Sequence, residues 1–342
     1  MEEKKILVTG ATGFVGAYLL HYLVRRGGAP IVALKRKNSP MSLVEEIRDK
    51  VEWVDGDIMD TTCLEEIFEG IGQIYHCAAV VSFHGKDESR MLRTNREGTA
   101  NVVNVALAKG VGRLLHVSSI AALGRRKNQS IVDENTPWEY DNWNSPYAVS
   151  KHLAEMEVWR GIAEGLDAVI VNPSNILGSG FWKGRTSTGQ LFYKIWKGMP
   201  FYPLGSSGFV DVRDVVRFMV GLMESGISGE RFIVSAENLP FQTVLFEIAD
   251  ALGVKRPGVK VGPLLREVAW RVAWLASKAS GERPFITKQT ARSSARVFYY
   301  QNKKSLEVFP FSYTPVKTTI ADTARQFREA VREGFSPKVL PF

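Results

Sequence analysis

Cysteine is close to absent. Cys63 and Cys77 are the only two in 342 residues. They fit neither metal-ligand spacing nor a disulfide framework, so no metal centre is expected. Long apolar runs are missing as well, and no stretch is long enough to span a bilayer. The first apolar run starts right after Glu2, Glu3, Lys4 and Lys5, leaving no room for a signal peptide. Together these absences predict a protein of the reducing cytoplasm. Acids are missing from two places. None occurs between Gly16 and Glu45, and between Lys255 and Lys304 only Glu267 and Glu282 stand against twelve Lys or Arg. That second segment therefore carries +10, and with an overall net charge of +8 the remainder sums to −2. Such a stretch is either a solvated basic face or a contact with something anionic. Composition is otherwise ordinary, with 45% hydrophobic and 23% charged residues. It gives no reason to expect a nucleic-acid partner, and the chain can bury a substantial core as one or two domains.

What is present is concentrated at the start. Ile6, Leu7 and Val8 form the short apolar run of a strand buried on both faces. Gly10, Gly13 and Gly16 break it, and Phe14, Val15, Leu19, Leu20 and Leu23 then follow at helical spacing. A strand, a glycine turn and a helix start make an anion cradle. Glycine allows close backbone approach, and the first N–H groups of the helix attract a pyrophosphate. A dinucleotide site is the reading, against a plain structural turn as the alternative.

Further strands are expected at Pro30 to Leu34, Val51 to Val54, Ile74 to Ala79 and Leu114 to Ser118, with a long helix from about Ser89 to Lys109. Strands alternating with helices predict an α/β fold, a doubly wound parallel sheet with ligands at the carboxyl ends of its strands. Asp57, after the third strand, can accept a hydrogen bond from an adenine amino group. Ala78 and Ala79 are small enough to lie against a cofactor. Ser118 and Ser119 end the fifth strand. Ser145-Pro146 is a capping serine followed by a first-turn proline, and the helix it opens carries Tyr147 and Lys151 on one face. Tyr-x-x-x-Lys occurs five times in the chain, at Tyr147, Tyr193, Tyr299, Tyr300 and Tyr313. Only the first copy follows a serine-ended strand and opens a capped helix, so position rather than spacing selects it.

The stretches TGATGFVG (9–16), GDIMD (56–60), HCAA (76–79), NREGTANVV (95–103), HVSSIAALG (116–124), YAVSKHLAE (147–155), NPSNILGSG (172–180) and FVDVRDVV (209–216) resemble, in order and spacing, the extended short-chain dehydrogenases/reductases. The match runs nearly the full length. Within that superfamily the chain looks most like the dihydroflavonol reductase and 3β-hydroxysteroid dehydrogenase-like branch. The resemblance implies a Rossmann domain over residues 1–172, with 208–234 returning to it, and a smaller, mainly substrate-binding C-terminal domain over 173–342. It implies a catalytic set of Ser119, Tyr147 and Lys151. It implies cofactor contacts at Gly10, Thr12, Gly13, Phe14, Val15, Gly16, Asp57, Ile58, Ala78, Ala79, Tyr147, Lys151 and Pro173, and a homodimer. Counting back from Gly124 by the family pattern selects Ser119 over Ser118, which is read as structural. Asn95 matches the family's helix asparagine, either supporting Lys151 through water or simply capping or kinking its helix. The acids that the dehydratase branch carries beside the serine are replaced by Ile120, Ala121 and Ala122, which disfavours sugar dehydration.

Dinucleotide folds that take NAD place an acid ~20 residues past the glycine turn. Here that position is Arg36, flanked by Lys35 and Lys37, so NADP is expected, with NAD as the alternative. Asn172-Pro173-Ser174 is expected to begin a loop, which the resemblance places near the nicotinamide, and Phe83, Ser174, Phe181 and Trp182 are the candidate substrate contacts. Phe192, Tyr193, Trp196, Phe201 and Tyr202 cluster around the same region, and Trp138 and Trp143 lie in loops that could close the cleft. This aromatic concentration favours a bulky apolar small molecule. The function expected is an NADP(H)-dependent oxidoreductase interconverting a hydrophobic ketone or aldehyde and its alcohol. The rivals are a nucleotide-sugar epimerase, for which Arg185 and Arg213 are the candidate diphosphate ligands, and a non-catalytic cofactor-binding redox sensor. Residues 263–279 read as a basic amphipathic helix with two tryptophans. It is expected to pack on its own domain, with weak contact to a membrane surface as the alternative.

Overall fold

All the strands of the main sheet run the same way. A computed structural model describes residues 4–125, 130–141, 144–183, 188–280 and 287–342. The chain passes through β1 (Lys5–Thr9), α1 (Phe14–Arg26), β2 (Ile31–Lys35), β3 (Glu52–Asp55), α2 (Thr61–Ile67), β4 (Ile71–His76), α3 (Glu88–Ala108) and β5 (Arg113–Val117). It continues through β6 (Ile131–Val132), α4 (Pro146–Ala163), β7 (Ala168–Pro173), β8 (Asn175–Leu177), α5 (Gly189–Trp196), β9 (Phe201–Tyr202), β10 (Ser206–Asp211), α6 (Val212–Glu224) and β11 (Glu230–Val234). Last come β12 (Glu237–Pro240), α7 (Phe241–Leu252), β13 (Val259–Lys260), α8 (Pro263–Ser280), α9 (Lys288–Ser293), β14 (Tyr299–Tyr300), α10 (Lys303–Glu307) and α11 (Val316–Arg332).

Seven strands make one parallel sheet in the order β11-β7-β5-β4-β1-β2-β3. Its strands are apolar on successive residues because both faces are covered. Val8, Ala33, Tyr75, Leu115 and Val169 point to one face, under Tyr18, Leu19 and Leu20 of α1 and Val215, Phe218 and Met219 of α6. Their neighbours Leu7, Val32, Ile74, Leu114 and Ala168 point to the other, under Leu64 of α2, Val102 and Val103 of α3 and Val158 of α4. Strand order reverses between β1 and β4, and that switch point is where such sheets open a ligand crevice.

Two element boundaries differ from expectation. β4 stops at His76 rather than running to Ala79, because the backbone is drawn onto the glycine turn. Cys77 donates its N–H to Thr9 O at 3.2 Å, and Ala78 to Thr9 Oγ1 at 3.2 Å. Asn172-Pro173 belongs to β7 rather than opening a loop, because β11 pairs alongside, with Val234 opposite Pro173 and Ser174 N bonded to Val234 O at 3.0 Å.

A second core lies beyond the sheet. Trp182, Phe192 and Ile195, Ile248 of α7 and Ile320 and Phe327 of α11 pack around Phe209 of β10, which pairs with β8 and β12. α8 packs on α9 with Leu265, Ala269 and Trp270 half-buried, but Leu264, Val268, Val272 and Leu275 of its apolar stripe are exposed.

Candidate active site

The turn after β1 needs its glycines for identifiable reasons. Gly10 has φ +65°, and a Cβ there would sit 2.6 Å from Ala78 N. A Cβ on Gly16 would sit 2.3 Å from Gly10 O. Side chains at either position would fill the cradle or push α1 away from it. Gly13 caps α1 without any side-chain hydrogen bond, so the first-turn N–H groups are left to an external acceptor. This arrangement fits the pyrophosphate of a dinucleotide.

The floor beside the turn is a chain of buried hydrogen bonds. Thr99 Oγ1 donates to Asn95 O at 2.7 Å, so His76 Nε2 donates to Thr99 Oγ1 at 3.0 Å. His76 Nδ1 is then the acceptor for Thr9 Oγ1 at 2.7 Å, and Thr9 Oγ1 in turn accepts Ala78 N–H. Burial pulls the His76 imidazole down to about 3, which keeps it neutral and this polarity fixed. Asn95 sits inside α3 and does not cap it. Its Oδ1 accepts Val80 N–H at 2.7 Å, and its Nδ2 donates to Val80 O at 2.9 Å and Ser150 Oγ at 3.0 Å. It clamps the segment after β4 onto the start of α4.

Ser145 caps α4 by accepting Ala148 N–H at 3.1 Å, with Pro146 in the first turn. That start places Tyr147 against the end of β5. Ser119 Oγ accepts Ala121 N–H at 3.1 Å and lies beside the Tyr147 phenol. Burial pushes the phenol up, and the neighbouring Ser119 hydroxyl opposes it. Lys151 Nζ donates to Val117 O at 2.8 Å. Burial brings the Lys151 ammonium down to about 8, against the charge of Glu155.

Glu155 was missed by sequence reasoning. Its side chain is fully buried four residues beyond Lys151 and ion-paired to Arg231 Nη1 at 2.8 Å. Glu155 Oε2 also accepts Ser118 Oγ at 2.7 Å and Asn172 Nδ2 at 2.8 Å, and Asn172 Nδ2 donates to Ser119 O at 3.0 Å. The carboxylate thus ties β5, α4, β7 and β11 together directly behind Ser119. The one local signal was an acid on the helix face that also carries Lys151.

The other candidates divide. Ala78 and Ala79 flank the switch point, Thr12 is buried in the turn, and Phe14 meets Tyr18 edge-on at 5.5 Å while lying close to Gly178 and Gly180. Val15 is partly buried against the core beneath the sheet, and Pro173 closes β7. Asp57 Oδ1 accepts Met59 N–H at 3.0 Å; the Ile58 side chain is core, leaving only its backbone to face a ligand. Arg36 is exposed at the end of β2, whereas the Lys35 ammonium is held by Asp55. Phe83 lies edge-on to Tyr147, ring centroids 5.6 Å apart. Ser174 is buried at the end of β7, its hydroxyl without a partner among the described residues. Phe181 packs partly against the core under α1. Trp182 is 1% exposed and packs edge-on against Phe327 at 5.1 Å, so it is core rather than a substrate contact. Trp138 stacks on His152 at 4.1 Å instead of reaching the cleft. Arg213 is consumed by Asp211 at 2.7 Å and Asp322 at 2.9 Å, which leaves no fork for a diphosphate. Trp143 and Arg185 lie outside the described residues.

Residues 6–235 match the NAD dependent epimerase/dehydratase family. The chain belongs to that family. The epimerase/dehydratase chain is 30% identical to a putative dihydroflavonol 4-reductase of Synechocystis sp., over 94% of each protein. It is also 30% identical to sterol demethylase protein B of Methylococcus capsulatus, over 94% of this chain and 98% of the relative. The crystal structure of gox2253 superposes with a TM-score of 0.81 at 31% identity, over 96% of this chain and 99% of that one. These likenesses support the dihydroflavonol reductase-like branch of this epimerase/dehydratase family. The protein is an NAD(P)-dependent oxidoreductase of the extended short-chain type, acting on a small molecule.

Proposed function

We propose that the protein is an NADP(H)-dependent carbonyl reductase or alcohol dehydrogenase for a hydrophobic ketone, aldehyde or alcohol. The observation that carries this reading is the Ser119 hydroxyl set beside the Tyr147 phenol, with Lys151 one helical turn on and Phe83 edge-on to the phenol. A bound nicotinamide supplies the hydride in reduction and accepts it in oxidation. Tyr147 Oη gives its proton to the carbonyl oxygen in reduction and takes it from the alcohol in reverse. The Ser119 hydroxyl donates to the same oxygen as charge develops on it. An ammonium has three donors, so Lys151 can keep Val117 O and still hold a ribose hydroxyl while favouring the phenolate.

Arg36 would read the 2′-phosphate. It is exposed, it follows β2, and its own strand holds no acid; Asp55, opposite Lys35 on the neighbouring strand, is taken by Lys35. Residues 1–172 with 208–234 would form the cofactor half, a division supported by β11 completing the parallel sheet beside β7. The remainder would supply the substrate wall, with Phe83, Ser174 and Phe181 as contacts. The commitment of Arg213 to two aspartates weighs against the nucleotide-sugar reading.

The test is a panel of ketones, aldehydes and alcohols followed by nicotinamide absorbance, with UDP-sugars included and products analysed. Stoichiometric NADPH consumption with an apolar carbonyl is expected. Interconversion of a UDP-sugar without net cofactor change would replace this reading with epimerisation.

A further inference from the structure

Amphipathic helices of folded chains ordinarily hide their apolar face; α8 turns much of its own outward. Leu264, Val268, Val272 and Leu275 are 88%, 55%, 57% and 59% exposed. At the helical repeat these four project within a sector of about 80°. The opposite side, with Trp270 and Ala273, is partly buried, as are Leu265 and Ala269 beside the row, and α8 packs on α9. The outward row is therefore continuous, aliphatic and uncovered among the described residues.

Its border is cationic. Arg271 and Lys278 are exposed along one margin of the row. Each cation lies over a tryptophan, Arg271 at 4.4 Å from the Trp270 ring and Lys278 at 4.1 Å from the Trp274 ring. Glu267, the one acid of α8, is neutralised by Arg271 at 2.9 Å. The surrounding segment from Lys255 to Lys304 holds twelve basic residues against two acids, while the rest of the chain is slightly acidic.

We propose that this face of α8 docks on the surface of an anionic lipid bilayer, the helix lying along the interface with its aliphatic row turned into it. The charge and the apolar row have to be satisfied together. A second copy of the same face would bring two basic segments into contact. A nucleic acid would pair with the cations but leave the aliphatic row in water. An anionic bilayer supplies headgroup charge for Lys278 and the basic excess of the surrounding segment, and acyl chains for Leu264, Val268, Val272 and Leu275, with tryptophan at the boundary. Among the described residues no helix is long and apolar enough to cross a membrane, so the contact lies on the surface rather than through it. The docking is independent of which substrate the active site takes.

The test is co-sedimentation of the full chain with vesicles of phosphatidylcholine alone or mixed with phosphatidylglycerol. We expect binding to the mixed vesicles at low salt, at least ~10-fold weaker at high salt because the headgroup attraction is screened. Val268→Glu combined with Leu275→Glu removes the binding and leaves the thermal midpoint and NADPH binding unchanged, since both side chains are already in water. Three results would overturn the proposal: no binding of the parent chain to mixed vesicles at low salt, equal binding to phosphatidylcholine alone, or undiminished binding by the double variant. Self-association of the parent chain that the same substitutions abolish, without vesicle binding, would assign the face to a second copy instead.

Discussion

Tyr147 is the residue whose chemistry can be isolated most cleanly, because only its hydroxyl is asked to react. Tyr147→Phe keeps the ring that meets Phe83 edge-on and removes the proton carrier. Turnover should fall ~100-fold or more with cofactor affinity nearly unchanged, as loss of a general acid does; near-normal turnover would take Tyr147 out of the mechanism. Arg36 poses the complementary question, since its proposed role is to hold the cofactor's 2′-phosphate and not to take part in the chemistry. Arg36→Ala should weaken NADPH ~10-fold or more and leave NADH nearly untouched, because a charge-assisted bidentate contact is lost for one cofactor only. Titrating both cofactors into parent and variant decides it. Equal use of NADH and NADPH by the parent chain would show that this loop does not read the phosphate.

At the scale of the element, α4 shows how one helix serves three purposes. Its capped start sets Tyr147, its next turn sets Lys151, and the turn after that sets Glu155, which anchors the helix to the sheet. Removing one partner of a buried ion pair costs about 3–5 kcal/mol, because the other charge stays buried alone. Glu155→Ala should therefore destabilise the fold by that order in denaturant titrations. Glu155→Met combined with Arg231→Met should recover much of the stability, since two apolar side chains leave no orphaned charge. Activity should not recover with it, because Ser118 and Asn172 would have lost the acceptor that holds the Ser119 segment. Full activity in the double variant would reduce the pair to a purely structural role. None of this was legible locally: Glu155 reads as one more helix acid until β11 delivers Arg231 from 76 residues away.

For the whole molecule, the buried histidines tie stability to pH. His76 and His116 are fully buried with rings 5.2 Å apart, and burial lowers both imidazoles, His76 to about 3. Both are neutral when folded, whereas the unfolded chain protonates them below about 6.5. The unfolded state then binds more protons, so stability falls as pH drops from about 6.5 toward the folded values, by roughly 1.4 kcal/mol per pH unit for each histidine. Glu134 and Asp214, both raised by burial, act in the opposite direction. The measurement is therefore a difference. Unfolding free energy at pH 7.0 and 5.5 should fall less steeply for His116→Asn than for the parent chain, and equal slopes would mean that His116 is already charged in the fold.

The sequence by itself determined what depends on neighbours a few residues apart. The apolar run of β1, the glycine turn, the Ser145-Pro146 cap and the register of Tyr147 with Lys151 are all short-range patterns, and each is found where its pattern predicts. Alternation of such units was enough for a doubly wound sheet. Tertiary structure alone decided what each long side chain meets. Hydrophobicity marks Trp182 and Leu264 alike as apolar, yet one is packed beside Phe327 and the other is in water. Charge marks Arg36 and Arg213 alike as candidate phosphate ligands, yet Asp211 and Asp322 occupy one and leave the other free among the described residues. The physical reason is that burial and ion pairing are set by which surfaces the chain brings together, and those surfaces come from segments as far apart as α6 and α11.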